Sequence, residues 1–256
     1  MSGVGLLGLG AGAGFLGSVL GLGGGIVMVP GLTLLFGLSL REAVPVSLVG
    51  IAATSAAAAA NYLDAGRVDV PLALRLEVPA VVGAVAAGLT AHLVPEALLY
   101  LAFGIVVLYA AAAMVELGPS TRAEPAEGPA DVRRVGTGAA ASGAAGVASA
   151  LLGIGGGVAK VPIMHLVMGV PLQVATGTSA FMVGMTAAAG GWIYWLGGDL
   201  ALTAAAPVAL GVLLGSHLGS RTSDRIPDRA LRPVLAAVLL YVAARMGWTG
   251  LSGLVG

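Results

Sequence analysis

Two stretches, GLGGGIVMVP at 21–30 and GIGGGVAKVP at 153–162, repeat the pattern Gly-x-Gly-Gly-Gly-x-x-x-x-Pro inside strongly apolar sequence. The chemistry on offer there belongs to the main chain. Glycine tolerates left-handed φ angles and close backbone approach, so a helix can break and restart at such a run. A helix restarting near Ile26 or Val158 presents unpaired N–H groups and the positive end of its dipole. Two such ends facing each other would hold an anion without any charged side chain. Gly23, Gly24 and Gly25, with Gly155, Gly156 and Gly157, are therefore the first candidate ligands. Each end contributes about 0.3–1 kcal/mol, and about 2 kcal/mol when partly buried, so two ends give a modest affinity. The competing role for glycine is close helix packing, and Gly83, Gly215 and Gly219 are read that way.

Hydroxyls and one cation come next. Ser47 and Ser179 match in position, with Thr176 and Thr178 beside the second, and all four could donate to anion oxygens. Bonding to their own helix backbone is the ordinary alternative. Lys160 is the sole lysine and lies within the second apolar stretch, where Met28 is its counterpart. A charge at mid-membrane costs about 2.5–3.5 kcal/mol. Lys160 therefore either lines a polar cavity and neutralises substrate, or snorkels to the interface. Asp64, Arg67, Asp69, Arg75 and Glu77 read as interfacial pairs around one loop. No acidic residue is expected within the core of a span, which disfavours a cation transporter. His165 and His217 read as packed, hydrogen-bonded side chains.

Several activities are excluded on residue grounds. GAGFLG at 12–17 fits G-x-G-x-x-G, yet no strand precedes it and no acidic residue follows about 20 positions on, so it is no dinucleotide site. There is no G-K-[ST] phosphate loop and no H-E-x-x-H, and zero cysteines exclude disulfides and thiolate metal sites. Net charge is +0, so no basic surface argues for nucleic acid. The expectation is a non-enzyme without cofactor or metal, whose partners are a small anion and the lipid bilayer.

The elements that must position these residues are membrane helices. Of 256 residues, 58% are hydrophobic and 9% charged, and long apolar blocks without period-2 alternation exclude a barrel. A constant offset of 132 positions aligns Gly21 with Gly153, Pro30 with Pro162, Ser47 with Ser179, Tyr62 with Tyr194 and Gly83 with Gly215. The chain thus reads as an all-α membrane protein of two repeats, 1–117 and 135–256, joined by a polar linker at 118–134 within one membrane domain. Each repeat has a glycine-broken segment (3–37 or 135–169) and three spans (42–63, 71–92 and 96–117, or 172–196, 200–220 and 229–250). The N-terminal stretch lacks a basic n-region and reads as structure rather than a cleaved signal.

Twelve residues of helix reach about 18 Å, short of a hydrocarbon core of about 30 Å. A broken crossing would make the halves parallel, and a re-entrant hairpin would make them inverted. Arginine placement favours inversion, because nine of the twelve basic residues then lie on the cytoplasmic side with the linker. Inverted repeats around broken helices are a secondary-transporter arrangement. The expected fold is two inverted repeats, each a re-entrant helical hairpin plus three spans, with both termini outside.

The doubled glycine motif, each copy followed by an Ala and Ser/Thr-rich helix (EAVPVSLVGIAATS at 42–55, QVATGTSAFMVG at 173–184), resembles the TauE/SafE family of sulfite and organosulfonate exporters. The resemblance spans essentially the whole chain. It implies a multi-pass permease of a prokaryotic cell membrane that moves small sulfur oxyanions or sulfonates, usually outward. An anion channel, or a transporter of another small carboxylate or oxyanion, is the alternative. The first copy, EAVPVSL, has fewer hydroxyls than QVATGTS and would offer fewer ligand contacts.

Overall fold

The computed structural model describes residues 2–20, 24–116, 134–222 and 228–255, and their regular elements are all helical. The chain divides into two compact units, each drawing on both sequence repeats.

The larger unit, Met1–Ala91 with Ala126–Arg221, contains both glycine-broken segments. Helix α1 (Gly3–Leu20) is followed by α2 (Gly25–Phe36), and the two helices pack antiparallel. Gly5 faces the Phe36 ring, Gly31 faces Leu9, and Gly24 faces the Ala13 carbonyl. The 12 residues of α2 give a rod of about 18 Å. Left-handed Gly37 (φ 69°) ends it, and the Leu38 N–H donates to the Leu32 carbonyl at 3.2 Å. The second repeat does the same. Helix α6 (Val135–Leu152) precedes α7 (Gly157–Pro162), and the chain turns back so that Gly138 meets Met168 and Gly156 meets the Ala145 carbonyl. Its terminator also matches: Gly169 has φ 75°, and the Val170 N–H donates to the Met164 carbonyl at 2.9 Å. One difference is local. After Pro162 the helix widens into a π turn, Ile163–Val167, whereas the matching Pro30 lies inside a regular α-helix.

Long helices frame these hairpins: α3 (Leu40–Asp64), α4 (Val70–Thr90), α8 (Leu172–Leu196) and α9 (Leu202–Thr222). A capping box starts α3, with the Glu42 N–H on Ser39 Oγ at 3.3 Å and the Ser39 N–H on Glu42 Oε2 at 2.9 Å. Asp69 caps α4 through the Leu72 N–H at 3.0 Å. The equivalent helices α3 and α8 run antiparallel, Leu48 against Gly190 and Ser55 against Gly184. Glycine lets backbones touch elsewhere in the same unit. Gly83 of α4 packs on the Gly143 carbonyl of α6, and Gly215 of α9 packs on the Ala11 carbonyl of α1. Gly146 on Ala80 and Gly14 on Val212 are a second such pair. All four contacts obey the offset of 132, so each repeat's first helix packs on the second long helix (α4 or α9) of the other. A Cβ at any of them would collide with a carbonyl oxygen, which is why small residues hold these positions. An apolar cluster of Leu72, Leu76, Met164, Met168 and Met182 fills the space beside the second hairpin.

The smaller unit, His92–Pro125 with Thr222–Gly256, pairs α5 (Glu96–Glu116) with α10 (Asp228–Val255). They run antiparallel, with Gly250 against the Ala97 carbonyl and Gly104 against that of Ala243, around buried Phe103, Val107, Leu239 and Met246.

Among the described residues, four helices are long and apolar enough to cross a membrane: Leu40–Asp64, Val70–Leu93, Val135–Leu152 and Leu202–Gly219. The 25 residues of α8 are long enough, but Gln173, Thr176, Thr178, Ser179 and Thr186 dilute them. Of the linker expected at 118–134, only Arg134 is among the described residues.

Candidate functional site

Both half-helices begin on a left-handed glycine. Gly24 (φ 75°) precedes α2 and Gly156 (φ 71°) precedes α7, one residue before the starts read from sequence, and neither start has a side-chain cap. The first backbone bonds are those of Val27 and Met28 to the Gly24 carbonyl, and of Ala159 and Lys160 to the Gly156 carbonyl. The N–H groups of Gly25 and Ile26, and of Gly157 and Val158, thus have no intrahelical acceptor.

The two breaks meet. A Cβ on Gly25 would lie 2.6 Å from the Gly153 carbonyl oxygen, and Ser47 Oγ donates to that same oxygen at 2.8 Å. Ile51 of α3 wedges between Gly25 and Gly155, while its counterpart Val183 of α8 lies against Gly155 and Gly157. Ser179 Oγ sits 3.6 Å from where a Gly157 Cβ would be. Gly24, Gly25, Ser47, Gly155, Gly156, Gly157 and Ser179 are therefore gathered at one place, all of them buried. Gly23 lies outside the described residues.

Two candidate hydroxyls are otherwise engaged. Thr176 Oγ1 donates to its own helix at the Leu172 carbonyl (2.8 Å). Thr178 is fully buried, and its Oγ1 accepts the Asp69 N–H at 3.0 Å, tying α8 to the start of α4. One hydroxyl that sequence reasoning did not single out has the opposite character. Ser149 of α6 is buried, its Cβ 3.5 Å from where a Gly156 Cβ would be, and its Oγ has no hydrogen-bond partner among the described residues. Its counterpart is Gly17, which lies near Gly24 in the same relation.

Lys160 follows one turn after the second break and is buried rather than extended to the surface. It is 1% exposed, and its Nζ donates to Glu77 Oε2 at 2.9 Å and Thr186 Oγ1 at 2.7 Å. Thr186 Oγ1 in turn donates to Glu77 Oε1. This corrects the reading of Glu77 as an interfacial residue and of the span cores as free of acidic groups. Glu77 is 4% exposed, inside α4. Sequence position placed it near the loop, but seven residues of helix carry it about 10 Å inward, and only the fold supplies its partner 83 residues away. A lone lysine in an apolar run needs a counter-charge, and that signal could have found it but was not followed.

The assembled chemistry is two main-chain donor sets, a free hydroxyl and a buried ion pair one turn away. Among the described residues no group of three His, Cys, Asp or Glu is placed to hold a metal ion. A family model described as "Sulfite exporter TauE/SafE" matches residues 6–246. No curated protein and no solved structure matches the chain.

Proposed function

The chain belongs to the sulfite exporter TauE/SafE family, and from that premise we propose that it is a secondary transporter moving small sulfur oxyanions or organosulfonates across a prokaryotic cell membrane. The anion is held between the half-helix starts at Gly24–Gly25 and Gly156–Gly157, with Ser47, Ser179 and Ser149 around it. The observation that carries this reading is the meeting of two uncapped, left-handed glycine helix starts in one buried place. Unpaired N–H groups and positive dipole ends suit an oxyanion and repel a cation. The unpartnered Ser149 hydroxyl beside the break supplies a further donor.

Burial supports alternating access. Both breaks and both paired serines are closed to solvent, so an anion enters only when a hairpin or the bundle around it moves. The halves are inverted in the membrane, with the linker and most arginines inside. The doubled-back hairpins and the antiparallel run of α3 against α8 support that orientation. A monovalent anion moving alone out of a negative-inside cell gains about 2.3 kcal/mol per 100 mV, a drive that any co-transported proton cancels.

The test is flux of labelled sulfite and of methanesulfonate in proteoliposomes at set voltage. Saturable flux, abolished in folded Gly24→Leu/Gly156→Leu protein, is expected. Absence of flux for both anions with intact protein would remove the sulfur-anion assignment, and conductance far above transporter turnover would make the protein a channel.

A further inference from the structure

The buried ion pair has a control built into the chain. By the offset of 132, Lys160, Glu77 and Thr186 correspond to Met28, Ala209 and Thr54. Met28 is fully buried, and Thr54 Oγ1 simply bonds its own helix at the Gly50 carbonyl, 2.9 Å away. The same architecture is thus built on the other side with no charge at all. A buried ion pair is no better for stability than well-packed apolar residues, so the fold gives no reason for this one. Intramembrane charges that the fold does not need mark pathways for ions and protons.

We propose that Glu77 and Lys160 form a proton-linked counter-charge for the transported anion, a deepening that rests on the transport reading above. Lys160 stands one turn past the Gly156 break, and two of its ammonium hydrogens are taken, by Glu77 and Thr186. The third has no partner among the described residues. An anion at the break draws the ammonium toward itself. That leaves the Glu77 carboxylate buried without a cation, and it takes one proton from the side the anion entered. Thr186 Oγ1, which bridges both groups, stays bonded to either state by turning its hydrogen. On release the proton leaves, and the ion pair re-forms. One proton therefore travels with each anion, and a monovalent cargo moves without net charge.

Among the described residues of the elements packed against the pair, no other titratable group takes this role. Helix α6 carries no titratable residue between Val135 and Leu152. On α8 the one such residue is Tyr194, whose hydroxyl donates to the Ala150 carbonyl. His165, after α7, pairs with the Val170 carbonyl, and Arg75 of α4 is exposed.

The experiment counts protons against anions in proteoliposomes. Methanesulfonate is the probe, because it stays ionised throughout the working pH range and any proton moved belongs to the protein. Flux of the labelled anion is followed beside an internal pH dye, at clamped voltages. Wild-type protein is expected to move one proton per anion at a rate insensitive to voltage. Glu77→Gln, which keeps the shape and cannot ionise, is expected to move the anion with a ratio near zero and with a current. A wild-type ratio of zero with saturable anion flux overturns the proton link and leaves the transport function standing, whether or not the variant folds. Absence of anion flux overturns both.

Discussion

Stability is where the ion pair is tested without reference to transport. At 2.9 Å and an effective dielectric constant of about 20, the Lys160–Glu77 attraction is about 6 kcal/mol. Desolvation of both ions offsets much of it, so the pair adds little net stability, yet removing one partner strands the other charge. Lys160→Met and Glu77→Ala, the residues of the other repeat, are each expected to lose about 3–5 kcal/mol. The double variant rebuilds the charge-free arrangement around Met28 and Ala209 and is expected to fall within about 2 kcal/mol of wild type. The interaction energy in the cycle is then about 4 kcal/mol or more, well above the sub-kcal/mol scatter of independent sites. Reversible unfolding in mixed micelles measures all four proteins. Losses in the double variant that equal the sum of the single losses would refute the buried pair and the reasoning built on it.

Three further outcomes follow from the site. Gly24→Ala and Gly156→Ala each force a Cβ into left-handed backbone, 2.9 Å from the Ala13 oxygen and 3.1 Å from that of Ala145; each should cost about 1–2 kcal/mol in unfolding experiments and depress flux. Ser47→Ala strips the Gly153 carbonyl of its buried donor and should cost about 1–3 kcal/mol, whereas Thr176→Ala, which loses only a bond to its own helix, should leave unfolding within about 0.5 kcal/mol of wild type. Ser149→Ala removes a hydroxyl with no partner, so stability should hold or rise while the KM for sulfite flux increases severalfold; an unchanged KM would make Ser149 a packing residue.

Much of the fold was legible because membrane helices announce themselves by apolar length, and because duplication doubles every signal. Helices α3, α4, α5, α8, α9 and α10 lie within a few residues of the six spans read from sequence, apart from a longer C-terminal end on α10. The glycine breaks were legible too, since a left-handed φ selects glycine at Gly24, Gly37, Gly156 and Gly169. Partnerships across the repeats were not. Nothing local to EVPA at 77–80 tells that Glu77 reaches Lys160, and nothing near Thr178 tells that its oxygen holds the start of α4. The exchange of close contacts, Gly83 on Gly143 and Gly215 on Ala11, likewise depends on which faces the packing brings together. Ser149 escaped because its matching residue is Gly17, so the repeat comparison that raised Ser47 and Ser179 passed over it.

The absence of native cysteine gives the most direct measurement of the central claim, that the two breaks form an anion site reached from either side in turn. A single Ser149→Cys protein in sealed vesicles of known orientation is treated from each face with a membrane-impermeant, sulfonate-bearing thiol reagent. The account predicts labelling from both faces, each slowed by added sulfite or methanesulfonate. Labelling from one face only, or labelling from both that neither anion slows, would contradict it.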